Sequence, residues 1–326
     1  YSCMVELLMQ VRGENVLTEY LPYLEKEYGY WMKGADRLNE ETTTANHVVR
    51  LPGGEIMNRY WDENDSPRPE SYREDVELAE KSEQASSLLY RNLRAGAESG
   101  WDFSSRWFKK GGSLKSIHTT SIIPVDLNCL LLHLEEVLAR AYAAVGNENS
   151  AKKFERLAGM RKYAIQQYCW NGDKGFYFDY DFRAEIQHET GTLAAAFPLF
   201  CQVASEEQAR LVAEILKERF LKPGGLVTTL QNSGQQWDAP NGWAPLQWIA
   251  VAGLENYGIH DLARTIASRW LQLNRQVYQR TGKLMEKYNV VDMHLEAGGG
   301  EYPGQDGFGW TNGVFLALSQ RYPPGS

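Results

Sequence analysis

The sequence lacks the features that mark several common classes of protein. Positive charge is in deficit, because 34 Lys and Arg residues stand against 42 Asp and Glu residues and give a net charge of −8. A nucleic-acid-binding surface needs clustered positive charge, so we expect no nucleic-acid partner. The chain also lacks any run of about 18 apolar residues, so we expect no membrane-spanning segment and no membrane partner.

Cysteine and histidine are too scattered to predict a metal or redox site. The six histidines show neither H-x-H nor H-E-x-x-H spacing. No G-x-S-x-G motif is present, and no G-x-G-x-x-G motif follows a strand, so we expect neither a serine-hydrolase elbow nor a bound cofactor. The cysteines have no C-x-x-C spacing, and three of them fall in apolar helical stretches that favour buried free thiols. The four are Cys3, Cys129, Cys169 and Cys201.

Apolar residues recur at helical spacing through most of the chain. Strand signals are few, and those at 175–181 and 226–229 each predict an edge pair at most. The pattern therefore predicts an all-α protein of helical hairpins, which could stack into an open solenoid or close into a toroid. Long connections rich in Gly, Trp, Asp and Glu favour the toroid, because such loops build sites. Helices are predicted at 17–31, 71–97 (two), 130–146, 150–170, 190–200, 205–220, 245–257, 260–277 and 311–321.

Aromatic residues are abundant, with 10 Trp and 18 Tyr in the chain. Their flat apolar faces and polar edges suit sugars, although large cores use them too. The first candidate for chemistry lies among them, because Asp102 stands between Trp101 and Phe103. Aromatic neighbours desolvate a carboxyl group and raise its pKa, as a general acid requires. The alternative is structural, since Asp102 or Ser104 could cap a short helix.

A second candidate is the sequence QWDAPNGWAP at residues 236–245. Its paired tryptophans, prolines and Asn-Gly step predict a rigid turn rather than a helix interior. Trp237 and Trp243 could wall a sugar pocket, and Asp238 or Asn241 could offer hydrogen bonds. The alternative is a packed turn that leads into the next helix.

A third candidate is Glu286, which lies in an apolar setting beside Lys287. A carboxylate there could activate water as a general base, although a surface salt bridge is the commoner role of a Glu-Lys pair. The glycine-rich stretch at 298–312 contains Glu301 and Asp306 and lacks the Lys-Ser/Thr step of a phosphate-binding loop. It is more typical of a lid over a neutral polar ligand.

The charged loop at 58–70 is the last candidate. Such loops are usually solvated, but Arg68 and Glu70 flank Pro69, which holds them stiffly enough to grip hydroxyl groups. After these exclusions, carboxylates embedded in aromatic loops remain, and they are the minimum requirement for glycoside hydrolysis.

These motifs resemble those of the trehalase family, with bacterial members nearest. Residues 236–245 match the trehalase signature QWDxPxGWxP, and the resemblance extends from about Met4 through nearly the whole chain. Further blocks occur in the family's order: SGWDFSSRW at 99–107, PVDLN at 124–128, EKY at 286–288, GGGEY at 298–302 and GFGWTNG at 307–313.

The resemblance implies an (α/α)6 toroidal barrel that hydrolyses α,α-trehalose, a small disaccharide, to two glucose molecules with inversion. It implies that Asp102 is the general acid and Glu286 the general base. To the sugar-contacting positions we add Asn241, from the turn described above. The positions that the resemblance assigns to the sugar subsites are Arg68, Glu70, Gly100, Trp237, Trp243 and Glu301.

One departure from the family concerns the N-terminus. The signature PGGRFxExYxWD is absent, and residues 52–57 only begin in the same way. The family's N-terminal third would precede Tyr1, so we interpret residues 1–326 as one catalytic domain that is incomplete at its N-terminus. The sequence does not decide between cytoplasm and periplasm, or the oligomeric state. Two alternative functions stay open: an inverting α-glucosidase for another disaccharide, and an inactive sugar-binding fragment.

Overall fold

Helices dominate the structure, a computed structural model that describes residues 1–295, 297–298 and 304–323. The predicted helical stretches are confirmed, with ends that differ by a few residues. Within the described ranges the α-helices are α1 (Ser2–Arg12), α2 (Asn15–Trp31), α3 (Tyr72–Glu80), α4 (Ser86–Glu98), α5 (Val125–Ala144), α6 (Glu148–Cys169), α7 (Phe197–Phe200), α8 (Glu206–Ile215), α9 (Ala244–Asn256), α10 (His260–Thr281) and α11 (Gly309–Arg321).

Two predicted helices are shorter than their apolar pattern suggested. The stretch at 190–200 becomes helical only at Leu193, as a 3-10 turn (Leu193–Ala196) that continues into α7. The reason is that Thr192 is extended, and its side chain accepts a hydrogen bond from the Ala194 N–H at 3.2 Å. α8 ends at Ile215 and continues as a π-helical turn (Leu216–Phe220). It begins with a reciprocal capping box between Ser205 and Gln208, as the sequence predicted.

The helices form a row with a second set packed against it. α1, α5, α7, α9 and α11 contact each other in that order, and α2, α6 and α10 pack against this row. α9 buries residues on most of its faces, as expected for a helix in the interior. One continuous apolar core runs through all of these contacts.

A buried ion pair joins α5 to α6, and its arginine also forms a hydrogen bond to the start of the 58–70 loop. Arg161 of α6 donates from Nη2 to Glu135 of α5 at 2.9 Å, and from Nη1 to the side-chain oxygens of Asn58 and Asn128, each at 3.0 Å. Because both charged partners are almost fully buried, this pairing fixes where the loop leaves the helical core.

Short antiparallel strands connect the helices, and they are more numerous than the sequence indicated. The pair that matters for the site is β11 with β12, in which Trp243 lies opposite Lys287. Within the described residues the strands are β1 (Thr44–Ala45), β2 (Val48–Arg50), β3 (Ile56–Asn58), β4 (Ile122–Ile123), β5 (Trp170–Asn171), β6 (Phe176–Tyr177), β7 (Tyr180–Asp181), β8 (Ile186–Gln187), β9 (Leu221–Lys222), β10 (Gly225–Leu226), β11 (Asn241–Trp243) and β12 (Lys287–Asn289).

Two expectations drawn from composition concern thiols and membranes. Cys129, Cys169 and Cys201 are buried free thiols, as predicted, and Cys3 is a half-buried free thiol. None of the helices in the described ranges combines the length and apolar character that crossing a bilayer requires.

Candidate active site

The segment that carries Asp102 leaves the end of α4 through a tight turn. Gly100 has a φ of +75°, a conformation that favours glycine, and its position allows the chain to reverse there. Trp101 and Phe103 are buried while Asp102 between them is half-buried, and the Asp102–Phe103 peptide is cis. Ser104, rather than Asp102, caps the following 3-10 turn by accepting from the Arg106 N–H at 3.1 Å. Ser104 therefore has the capping role, and Asp102 is left half-buried between the buried side chains of Trp101 and Phe103.

Glu286 directly precedes β12 and is held from both sides of its backbone. Its N–H donates to the Gln305 carbonyl at 2.8 Å, and its carbonyl accepts from the Trp310 indole N–H at 3.2 Å. The side chain is only 3 % exposed. A carboxylate fixed in this way keeps one orientation without large reorganisation.

A stack of tryptophans lies between the segment that carries Asp102 and the segment that carries Glu286. Trp237 and Trp243 are parallel within 1°, with ring centroids 3.8 Å apart. Trp101 stacks on Trp237 at 5.3 Å, and Trp310 meets both rings of the 236–245 turn edge-on. The two signature tryptophans therefore contact each other face to face, and their rings do not form two opposite walls of a pocket.

A chain of hydrogen bonds joins the backbone of Asp102 to the carboxylate of Glu286. The Gln236 side-chain amide donates to the Asp102 carbonyl, and the Lys287 ammonium donates to Gln236 Oε1 at 2.9 Å. The same ammonium donates to Glu286 Oε2 at 2.9 Å. Both members of this ion pair are buried, so the alternative weighed for Glu286, a salt bridge at the surface, does not hold. The two predicted catalytic residues share one site, and Gln236 and Lys287 connect them.

A buried arginine supports the Asp102 segment from the other side. Arg106 makes bidentate ion pairs with Asp126 and Asp179, with distances of 2.7–2.9 Å. Burial alone would lower the pKa of the Arg106 guanidinium, but the two carboxylates raise it well above its ordinary value. Its guanidinium also lies 4.5 Å from the ring centroids of Trp101 and Trp107. No role was predicted for Arg106 from the sequence, and the signal that could have indicated one is that its partners Asp126 and Asp179 each stand among apolar residues.

Asp238 does not offer its oxygens to a ligand, contrary to the sequence-based suggestion. It is fully buried and accepts hydrogen bonds from Ser104, Ser105, Thr229 and Ser233. These donors come from the Asp102 segment and from the chain before the 236–245 turn. Asp238 therefore joins two parts of the site and has a structural role.

Asn241 and Trp237 each present a buried polar atom to the site. The Asn241 amide donates to the carbonyls of Gln236 at 3.0 Å and Gly298 at 2.6 Å, which draws the glycine-rich stretch toward the turn. Its Oδ1, like the Trp237 indole N–H, has no hydrogen-bond partner in the described part of the chain. Buried polar atoms of this kind are costly unless a ligand or water satisfies them.

The remaining predicted sugar-binding positions differ in whether they contact the site. Arg68 is buried, donates to both Asp75 oxygens at 2.7 and 3.1 Å, and lies 4.8 Å from the ring centroid of Phe103. It therefore flanks the Asp102 segment. Glu70 is exposed in a 3-10 turn (Pro69–Ser71), and no described contact joins it to either catalytic candidate. Glu301 lies outside the described residues.

The described residues contain no group of three or more His, Cys, Asp or Glu side chains placed to hold a metal ion. The chemistry that the arrangement offers is that of two carboxyl groups whose segments are joined by hydrogen bonds and flanked by stacked tryptophans. Such a pair suits proton transfer to a leaving group and from a water molecule.

Comparisons with known proteins agree on one family. The family description "Trehalase" matches residues 1–323. The periplasmic trehalase of Salmonella newport is 49% identical over 98% of this chain, and that of Xanthomonas axonopodis pv. citri is 50% identical over 99%. In both cases the match spans 56% of the relative, so the chain covers little more than half the length of these relatives.

Solved structures share the fold. The neutral trehalase of Saccharomyces cerevisiae superposes with a TM-score of 0.75 at 22% identity, over 99% of this chain and 62% of that one. A GH63 mannosylglycerate hydrolase from Thermus thermophilus gives 0.61 at 17% identity, over 98% and 75%. These likenesses confirm the predicted fold class, that of (α/α)6-barrel glycosidases. With a match to the family description along nearly its whole length, the chain belongs to the trehalase family.

Proposed function

We propose that this chain carries the catalytic carboxylates of an enzyme that hydrolyses α,α-trehalose to two glucose molecules. The observation that supports this most directly is the hydrogen-bonded connection from the Asp102 backbone through Gln236 and Lys287 to Glu286. This connection supports a common aromatic-lined site for the two residues that the family resemblance assigns as acid and base. The names of the 49–50% identical relatives support trehalose as the substrate.

The proposed reaction is a single displacement with inversion. Asp102 donates its proton to the glycosidic oxygen, and the bond from that oxygen to the anomeric carbon breaks. Glu286 takes a proton from a water molecule, whose oxygen forms the new bond on the opposite face of the same carbon. An inverting pair needs space for that water, which corresponds to carboxyl groups about 6.5–9.5 Å apart.

Stereochemistry gives the sharpest test of this reaction. Trehalose joins two α-glucosyl units, so inversion at one centre releases one β-glucose and one α-glucose. Proton NMR in the first minutes of reaction should therefore show equal amounts of the two anomers, before mutarotation. Release of α-glucose alone would mean retention and would overturn the proposed roles. Maltose and sucrose, run in parallel, test the alternative of another disaccharide.

Substitution tests the two residues separately. Asp102→Asn and Glu286→Gln should each lower kcat by about 10²- to 10⁴-fold, because each removes one proton-transfer group while keeping its shape. Asp173→Asn and Glu155→Gln are matched controls on exposed side chains and should retain wild-type turnover. Full activity in either catalytic variant would contradict the assignment.

We also propose Arg68, Glu70, Gly100, Trp237, Asn241, Trp243 and Glu301 as the residues that line the sugar subsites. The buried Trp237 N–H and Asn241 Oδ1 support this most directly, since sugar hydroxyl groups can satisfy both. Arg68 is supported by its position beside Phe103. Asn241→Leu should therefore raise KM for trehalose, while a variant of exposed Asn147 outside the site should not.

We propose that residues 1–326 form one catalytic domain that further chain completes. Helix α1 exposes three large apolar side chains, Met4, Leu7 and Val11, each to 64–81%. Such a group of exposed apolar side chains on one helix is unusual in a protein surface that contacts only water. The greater length of the relatives supports additional structure against this face. Glucose release by the chain alone, beside a form extended upstream, tests this; equal activity in both would contradict it.

A periplasmic location is supported by the names of the relatives at 49–50% identity. Osmotic-shock fractionation of a cell that expresses the natural protein tests it. Trehalose hydrolysis confined to the cytoplasmic fraction would contradict it.

A further inference from the structure

We propose that Lys287 is a positioning residue that orients the Glu286 carboxylate as the base and supplies a cation in contact with it, and that Gln236 joins this ion pair to the segment that carries Asp102. The proposal rests on the function proposed above and adds two residues to it. Neither residue would need to touch the sugar to affect the reaction.

The β11–β12 pairing, rather than the flexible aliphatic part of the side chain, determines where Lys287 lies. Its backbone is in β12, opposite Trp243 of β11, and its side chain is buried. The ammonium lies 5.3 Å from the ring centroid of Trp243 and donates to Glu286 and Gln236 at 2.9 Å each. A lysine is seldom buried without a specific partner, because removing its charge from water is costly.

The charge of Lys287 matters because Glu286 is itself almost fully buried. Burial disfavours the charged form of a carboxyl group, and a protonated Glu286 cannot accept a proton from water. A cation in contact with the carboxylate favours the charged form. The pair therefore combines the low exposure that excludes solvent with a compensating cation in contact with the carboxylate.

Gln236 extends the connection to the acid. Its amide uses both ends: Oε1 accepts from Lys287 and Nε2 donates to the carbonyl of Asp102. The backbone N–H of the adjacent Trp237 donates to the Phe103 carbonyl at 3.1 Å, so the turn is hydrogen-bonded to two successive carbonyls of the Asp102 segment. A shift of the Glu286–Lys287 pair would be transmitted to Asp102, and the spacing of acid and base is maintained by this connection.

The pH dependence of kcat/KM on trehalose separates this role from a merely structural one. Lys287→Met keeps most of the side-chain length and removes the charge. The acidic limb, which reports ionisation of the base, should move up by about 1 to 3 pH units, while the alkaline limb stays in place. Lys153→Met is the matched control, because Lys153 is exposed on α6 and also lies near an aromatic ring. Its pH profile should equal that of the wild type.

The link through Gln236 is tested by Gln236→Met alone and together with Lys287→Met. The single change should lower kcat about tenfold or more by loosening the Asp102 segment, with little movement of the acidic limb. Because both residues act in one connection, the double variant should lose less than the product of the two single losses. Losses that multiply would overturn the link.

A direct measurement keeps the proposal independent of turnover. In protein labelled with ¹³C at glutamate carboxyl groups, the Glu286 signal, identified by its loss in Glu286→Gln, should take up its proton at higher pH in Lys287→Met than in the wild type. An unchanged midpoint overturns the role of Lys287. Absence of glucose release by the wild type, extended or not, would overturn the proposed function instead. Should Lys287→Met fail to fold, Lys287→Gln tests the same point, since it also removes the positive charge and can still hydrogen-bond to Glu286; an unchanged Glu286 midpoint in that variant would again overturn the role of Lys287.

Discussion

At the scale of single residues, burial decides which of the acidic side chains are available for chemistry. Asp102 and Asp238 both stand beside tryptophans in signature motifs, yet only Asp102 is partly exposed. Asp238 accepts hydrogen bonds from five donor groups of four residues and has no exposed surface. The two aspartates look alike in sequence and differ in the neighbours that the fold supplies.

Asp238 should therefore matter for stability before it matters for binding. Asp238→Ala leaves several buried donors without an acceptor, and we expect a loss of at least about 2 kcal/mol in the free energy of unfolding. Urea titration followed by circular dichroism measures it. Asp173→Ala, at an exposed position, should stay within about 0.5 kcal/mol of the wild type. Equal stability of the two variants would contradict the structural role of Asp238.

At the scale of secondary-structure elements, Arg106 joins parts of the chain that lie far apart in sequence. It connects the 3-10 turn at Ser105–Trp107 to the first turn of α5 through Asp126, and to the chain before β7 through Asp179. Asp179 also accepts from the backbone N–H of Val125 at 2.9 Å. The Asp102 segment is thus anchored to α5, which belongs to the row of helices formed by α1, α5, α7, α9 and α11.

Removal of Arg106 should leave two buried carboxylates without their cation. We expect Arg106→Met to cost about 3–5 kcal/mol of unfolding free energy. Removal of one partner of a buried ion pair leaves an uncompensated buried charge, which costs far more than replacement of all partners by apolar side chains. Arg73→Met removes an exposed pair with Glu77 on α3 and should leave the denaturant midpoint close to that of the wild type. Denaturant midpoints of both variants measure the difference, and similar midpoints would show that the anchor is not needed.

At the scale of the whole molecule, acid should weaken the fold through a buried histidine. Burial, followed by the nearby His188, lowers the pKa of His118 to about 4, although Asp181 opposes this. An unfolded chain takes up this proton near pH 6.5. The unfolded state therefore binds more protons between about pH 6.5 and 4, and the free energy of unfolding falls as the pH falls through that window.

His118→Gln removes this titration and should reduce the acid sensitivity. Between pH 6.5 and 4 the wild type should lose about 3 kcal/mol more than the variant, because each unit of pKa difference corresponds to about 1.4 kcal/mol. Unfolding by urea at several pH values measures this. His260→Gln, at an exposed position at the start of α10, should keep the wild-type pH dependence. Identical pH dependence in all three proteins would contradict the assignment.

The sequence by itself determined the helices and the residue types of the site. Helical periodicity and caps such as Ser205 with Gln208 are local signals, so the helices could be located from neighbouring residues alone. Asp102, Glu286 and the 236–245 turn were found because a carboxylate in an aromatic setting has recognisable chemistry wherever it stands. The family resemblance then predicted the (α/α)6 fold class.

Only the tertiary structure decided which of those residues meet. Gln236 and Lys287 are 51 residues apart, and Ser104 and Asp238 are 134 apart. The β11–β12 pairing that joins the two halves of the site was not predicted, because short strands in long loops have too few residues for a periodic pattern. The burial of the Glu286–Lys287 pair and the internal role of Asp238 follow from that pairing and from packing. Both depend on partners distant in sequence, and local sequence carries no information on them.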